Sequence, residues 1–434
     1  MTASAPVSTS GHRRRGAGFY LMVLSVSTIL MITGLSALLA VRIQRRGSEG
    51  ANDLGAARLY AQSAIDLGMH WIENDPTWRT SKGEGFWAVK QLIGEGSFTL
   101  EANDLGSNKL LEASADTDSV LLTGTGFNSD ARYKLQVTLT PRLNALSCLE
   151  VGMHVGTDVI FNTTTVQSDQ TISANNSIDG TDATGNADLE AVVSVIPGGI
   201  VGTQTTGITP LDMPDPATVF DYYTTNGTYI DIGTLDTSGG NAALQIKTLS
   251  PATNPYGAGL TNAEGIYVID CAGLTIKIQN CRIVGTLVLL NPGVNSTVSS
   301  AVNWEPAIPN YPALLVQGDI ALQFQSGSTL DEGTPLDFNF NPLGTPYPYP
   351  GGEEDILLDD SYPTVIKGLV YVSGDLTTLN NPSLDGVVVV GNTATLEGNI
   401  SLRYQETYFD TPPPGFIKVS GLRIVAGSWK QVVN

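Results

Sequence analysis

The stretch IKGLVYVSGDLTTLNNPSLDGVVVVGN, residues 366–392, states one phrase twice. IKGLVYVSG at Ile366 and LDGVVVVGN at Leu384 each read apolar, any residue, glycine, then a β-rich run, and they start 18 residues apart. A third copy, IVGTLVLLN, starts at Ile283, and ATLEGNISLRY from Ala394 continues the series. The interval fits one turn of a parallel β-solenoid, whose turns stack because a single turn cannot bury its inward face. Glycine suits corners that need positive φ, and Asn or Thr can ladder from turn to turn. Working outward, DVIFN, GIYVID, LTIKIQ and ALLVQGDIALQF recur between turn residues with almost no helical pattern. The expected architecture of residues 146–434 is therefore a right-handed parallel β-solenoid, interrupted by loops such as Leu330 to Asp360. A β-sandwich gives similar short strands and is the competing reading.

Upstream the pattern changes. Between Phe86 and Pro141, SFTLEAN, SVLLTGTG and ARYKLQVTLTP alternate apolar and polar residues and are separated by NDLGSNK and FNSD, as an antiparallel meander would be. Before it, Ala57, Ala61, Ala64, Ile65, Gly68, Met69 and Ile72 recur at helical spacing. This predicts a helix from Ala56 to Glu73, stopped by Pro76. Its stripe of small residues lets it lie close to another surface and reads as core packing. The segment RRGSEGANDLGAA reads as a break separating this helix from an earlier one.

That earlier helix spans 25 uncharged residues, Ala17 to Val41, between two sets of three arginines. As a helix it would be about 37 Å long, against a hydrocarbon core of about 30 Å. A cleavable secretory signal has a shorter apolar region and a small-residue cleavage motif, whereas this run is followed at once by RIQRR. The segment 17–46 is therefore expected to be a single membrane span, after a basic leader or tail at 1–16 and before a region at 47–145. Equal arginine counts on the two sides leave orientation open by charge. The acidic, Thr/Asn-rich remainder places the N-terminus in the cytoplasm and the body outside the inner membrane.

RRRGAGFYLMVLSVSTILMITGLSALLAV, followed by AARLYAQSAIDLGMHWIENDPTWR, resembles the N-terminal region of type IV pilin-like proteins, especially the PilX-like and K-type minor pseudopilin groups. The resemblance covers residues 13 to 145 and implies a short leader, a long helix and a small β-rich head. It implies leader cleavage after Gly16 or Gly18, with Phe19 as the first mature residue in the second case. It also implies other pilin-like subunits or secretion machinery as partners. The glutamate that major pilins carry five residues into the mature helix is replaced by Val23, and the first acidic residue is Glu49.

Charge narrows the function classes. The chain carries a formal net charge of -20, yet residues 1–46 hold six arginines and no acid, leaving 16 basic against 42 acidic residues beyond. An acidic body without a basic stripe disfavours nucleic acid as a partner. Cys271 and Cys281 bracket CAGLTIKIQNC and suit either a disulfide in an oxidising compartment or two small buried side chains. Cys148 is read as structural. His12, His70 and His154 show no metal-ligand spacing, and no phosphate-binding loop occurs. Cofactors are accordingly not expected. Asp270, Asp319, Asp359, Asp360, Asp375 and Asp385 are the acids that a polysaccharide-cleaving β-helix could use, but are read as a solvated face. GGEEDILLDD (351–360) offers oxygen ligands without regular calcium-loop spacing. The five Asn-x-Ser/Thr sequons, at Asn162, Asn175, Asn226, Asn295 and Asn399, also arise by chance in so polar a chain. The expected function is a membrane-anchored, non-enzymatic, pilin-like structural protein of a type IV pilus or type II secretion apparatus. The alternative is a tethered β-helix that binds or cleaves polysaccharide, and a surface glycan is the added partner.

Overall fold

A computed structural model describes residues 15–105, 110–113, 118–257, 259–325 and 328–433. Of the expected leader, residues 1–14 lie outside the described residues. The chain divides into two units, Met1–Arg142 with Val419–Asn434, and Leu143–Lys418. The region expected to run from 146 to 434 therefore loses its last residues to the first unit. The reason is edge pairing, described below.

The first unit is built on α1, Arg15–Asn74, an unbroken helix of 60 residues. This corrects the expected break at 45–57: Gly47, Gly50 and Gly55 all sit within the helix. Each interior glycine costs only about 1 kcal/mol relative to alanine, and no proline intervenes until Pro76. Arg45 pairs with Glu49 at 2.8 Å across one turn of this segment, a modest helix-stabilising contact. The helix stops as expected. Asp75 accepts hydrogen bonds from the Thr77 amide (2.9 Å) and hydroxyl (2.8 Å), which turns the chain before Pro76 continues it away.

After α2 (Trp78–Lys82) the chain forms β1 (Gly85–Ile93), β2 (Gly96–Asp104), β3 (Val120–Asn128) and β4 (Ala131–Ala145), paired antiparallel in sequence order. The strand Ile417–Ile424 then joins β4 as the next strand of the sheet, and Lys430–Gln431 pairs with Gln136 and Leu135 further along β4. The C-terminus thus completes this sheet, and Leu422 enters its core beside Leu122, Val137 and Leu139. The small-residue stripe packs as expected, with Ala57, Ala61, Ala64 and Ile65 fully buried. The close fit is made by glycines of β3: a Cβ on Gly126 would stand 1.9 Å from the Ala57 carbonyl oxygen, and one on Gly124 2.2 Å from that of Ala61.

The second unit is dominated by parallel pairing. Ile366 pairs with Leu384, Gly368 with Gly386 and Val372 with Val390, each 18 residues apart. Three parallel ladders share one apolar core. One passes through Leu287, Leu314, Val370, Val388, Met153, Ile172 and Leu189. A second passes through Ile278, Val298, Leu322, Thr378, Leu396 and Phe161, and a third through Ile283, Trp304, Ile366, Leu384 and Leu402. The spatial order differs from the sequence order. The Ser383–Val390 and Ala394–Arg403 strands pair with Met153–Val155 and Val159–Ser168, so the late strands stack on the early ones. The chain first works away from that junction as far as Gln204–Thr206. It then passes along α3 (Pro216–Asn226) and works back from Thr228. Asp215 caps α3 by accepting from the Ala217 and Thr218 amides, and Val219, Phe220 and Tyr223 cover the outer side chains Val268, Val288, Leu315 and Tyr371.

Candidate functional site

The apolar half of α1 is the first candidate. Its most apolar 18-residue window has a mean hydropathy of 2.1, and the helix is long and apolar enough to cross a membrane. The side chains from Phe19 to Ile43 are exposed. The hydroxyls inside this run are satisfied locally: Ser25 donates to the Leu21 carbonyl (2.6 Å), Thr28 to that of Leu24 (2.7 Å), and Thr33 to that of Ile29. Such back-bonding removes the main cost of placing Ser and Thr in hydrocarbon. Gly16, Gly18 and Phe19 all fall within the first turn and a half of α1, and Gly18 has open space around it. Val23 lies on the same exposed run.

The acids that sequence singled out do not converge on one site. Asp319 accepts from the Asp375 amide (2.8 Å), and Asp375 accepts from the Thr393 amide (3.1 Å). On the far side of Thr393, whose hydroxyl meets that of Thr157 at 3.1 Å, Asp158 accepts from the Ser177 amide (3.1 Å). These carboxylates tie the ends of neighbouring parallel strands together. Asp270 accepts from the Ala272 amide (3.0 Å) in its own turn, and Asp385 accepts from the Gln405 side chain (2.6 Å). Asp359 is exposed in the 351–360 loop. In that loop Asp360 accepts from the Glu353 amide (3.1 Å) and the Tyr362 hydroxyl (3.1 Å), and one oxygen of Asp355 accepts from the Leu357 amide (2.7 Å).

Asp319 and Asp375 do border a groove of about 650 Å³. Its floor is the outward face of one ladder: Lys277 and Gln279, then Thr297 and Ser299, then Gln323, then Thr377. Gln279 donates to Gln245 (2.6 Å) and to Ser238 (3.1 Å), extending the polar row by one strand. This surface presents amides, hydroxyls and one cation at strand spacing, and can hold a hydroxyl-rich ligand.

Sequence reasoning missed a buried polar cluster beneath the 330–363 loop. Glu332 is almost fully buried and accepts from the Phe340 amide (2.6 Å), the Asn341 amide (3.1 Å) and the Tyr362 hydroxyl (2.7 Å). Arg282, equally buried, donates from Nη1 to the Phe340 carbonyl (3.3 Å), while its Nε and Nη2 have no hydrogen-bond partner among the described residues. Burial lowers its pKa, opposed by nearby Glu305, Tyr362, Tyr349 and Glu332. Tyr362 is pushed far above its ordinary range by burial and by its bond to Glu332. These partners lie up to 58 residues apart, so no local motif marks them. His154 is likewise fully buried, its two ring nitrogens without a hydrogen-bond partner among the described residues, and burial pulls its pKa down to about 4.

The Cys271–Cys281 bridge is not formed. Both residues stand as free thiols in the shared core. Burial pushes Cys271 up to about 12, helped by Asp270, and raises Cys281 and Cys148 further. Thiols so disfavoured as thiolates are poor nucleophiles.

No protein-family model and no curated protein matches the sequence. Among solved structures, the competence-associated pilin ComZ from Thermus thermophilus matches over 88% of this chain and 97% of its own, at 12% identity and a TM-score of 0.35. At that similarity it carries no argument about this chain.

Proposed function

We propose that the protein is a membrane-anchored, pilin-like structural component of a type IV pilus or type II secretion apparatus, with its β-rich unit beyond the inner membrane. The observation that carries this reading is α1 itself. One helix offers an exposed apolar half from Phe19 to Val41 and, without a break, an alanine-rich half that packs on an antiparallel sheet. The first half suits a bilayer or a bundle of like helices, and the second holds a globular head on the same rod. Its partners are other pilin-like subunits or the secretion machinery, and its role is assembly or presentation rather than catalysis. In this reading the parallel ladders of the second unit are the stacked coils of a right-handed β-solenoid.

The test is intact mass and N-terminal sequencing of the full chain from its native membrane, beside a Gly18→Trp variant. A mature chain beginning at Phe19 or Ala17, with the Gly18→Trp protein left uncut or shifted, supports the reading. An N-terminus that stays uncut in a host with an active prepilin peptidase overturns it.

The groove floored by Lys277, Gln279, Gln323 and Thr377 favours a second reading, glycan recognition. A glycan array probed with the detergent-solubilised chain tests it. Saturable binding lost in a Gln279→Ala/Gln323→Ala variant supports this role, and an empty array removes it.

A further inference from the structure

The early strands of the second unit end without a cover. Ser194–Ile196, Gly199–Val201 and Gln204–Thr206 pair, among the described residues, only with the preceding circuit: Val195 with Ile178, Ile200 with Gly185, and Thr205 with Glu190. Each therefore keeps one unpaired backbone edge, and the three edges bound the end of the shared core. Val201 to Gly207 are all exposed, as are Val193 and Ile196. The opposite end differs: Asp236–Ser238 folds back on Asn241–Gln245 as an antiparallel hairpin, while Thr228–Tyr229 and Thr248–Leu249 pair, among the described residues, on one side only.

Exposed strand edges invite pairing with another chain, and proteins usually blunt them with charge, especially lysine, or with a covering segment. Repeat arrays likewise need a polar terminal cap to stay apart. This end has a polar outermost strand, Gln204–Thr206, but carries no charge and, among the described residues, no covering segment. Residues 191–211 contain no Asp, Glu, Lys or Arg, in a chain of net charge -20. It is a neutral surface on an otherwise self-repelling molecule, and so a place where two copies meet without charge repulsion.

We infer that this open coil end is an interface for a second copy of the same chain, joined end to end about a two-fold axis. A single added strand could satisfy only one of the three edges. Satisfying all three takes another coil of the same three-sided outline, which this chain itself provides. A two-fold axis turns the facing strands antiparallel and makes the contact self-complementary. Three strands of three residues make a small contact, below the area of a stable free dimer. Confinement of both copies to one membrane supplies the effective concentration the contact needs.

The inference rests on reading the ladders as stacked coils, and the test separates the two. In the full chain in native membranes, single cysteines replace Ile196, Val201 or Thr205, one on each open strand, with Gly240→Cys in the hairpin at the opposite end as control. The native cysteines are buried and serve as internal blanks. At least one of the three variants is expected to form a disulfide-linked dimer at least tenfold above the control, and a Gln204→Lys/Thr206→Lys background should abolish it. No dimer above control, or one indifferent to the lysines, overturns the interface. A Ser177→Cys/Ser194→Cys variant, whose parent hydroxyls lie 3.0 Å apart on successive circuits, reports on stacking alone. If that bridge forms within one chain, failure of the dimer refutes only the interface; if it does not form, the coil reading fails too.

Discussion

The contact between α1 and β3 can be tested by one kind of substitution that should change sign with place. In Gly126→Ala the new Cβ would lie 1.9 Å from the Ala57 carbonyl oxygen and 2.7 Å from the Ala61 nitrogen, where real contacts do not fall below 3.0 Å. Both atoms are helix backbone, so no side chain can swing aside, and helix and strand must part by about 1 Å. A gap of that size forfeits roughly a quarter to a half of the dispersion energy at each separated contact. Ala57, Ala61, Ala64 and Ile65 all sit on this seam. The expected cost is about 3 kcal/mol, at the upper end for overpacking, or roughly a hundredfold in the opening equilibrium. The same change at Gly55, on the exposed side of α1 with nothing within 4 Å, should stabilise the helix by about 1 kcal/mol. Hydrogen exchange of the Val120–Asn128 amides in the full chain reads both effects locally, without assuming that the two units unfold together. Protection should fall sharply in Gly126→Ala and hold or rise in Gly55→Ala. Equal protection in the two variants would refute the close-packed seam.

Three further perturbations probe the second unit. Gly386→Ala would set a Cβ 2.0 Å from the Gly368 carbonyl oxygen; a loss of about 3 kcal/mol or more is expected, seen as a lower thermal midpoint, and an unchanged midpoint contradicts so close an approach of these strands. Glu332→Ala strips the Phe340 amide, the Asn341 amide and the Tyr362 hydroxyl of their shared acceptor, so about 3 kcal/mol should be lost, with Glu332→Gln milder because it keeps an acceptor oxygen. His154 has a folded pKa of about 4 against an unfolded value of about 6.5. The unfolded chain therefore binds the proton more readily between these values, and stability is full above pH 6.5 and lost as pH falls toward 4. The expected loss is on the order of 3 kcal/mol, and denaturant titrations should show that His154→Leu lacks this component; an identical pH profile in the variant would assign the acid sensitivity elsewhere.

The parts of this fold that sequence reveals are those in which neighbours in space repeat at a fixed interval along the chain. Parallel pairing sets Ile366 beside Leu384 and Gly368 beside Gly386, so each position meets similar surroundings 18 residues later and selects the same residue type. The glycine of the repeated phrase is legible for a second reason: a Cβ on Gly386 has no room beside the Gly368 carbonyl, as one on Gly285 has none beside that of Gly265. The copy at Ile283 falls in register as well, lying in one ladder with Ile366 through Trp304. What periodicity cannot encode is the order in which segments meet. Nothing in MHV at Met153 announces Val388 as its partner, and nothing in IKVSGLRI at Ile417 announces β4, because both pairings join segments far apart in the chain. The uninterrupted α1 failed to show for a different reason. Three glycines in nine residues look like a break, yet their summed cost of about 3 kcal/mol is spread over a 60-residue helix already nucleated on both sides, where propagation continues without a new nucleus. The polar cluster of Arg282, Glu332 and Tyr362 leaves no sequence trace for the same reason as the long-range pairings. Its members are held together by a loop that closes over the sheet, and only the folded chain brings their donors and acceptors within reach.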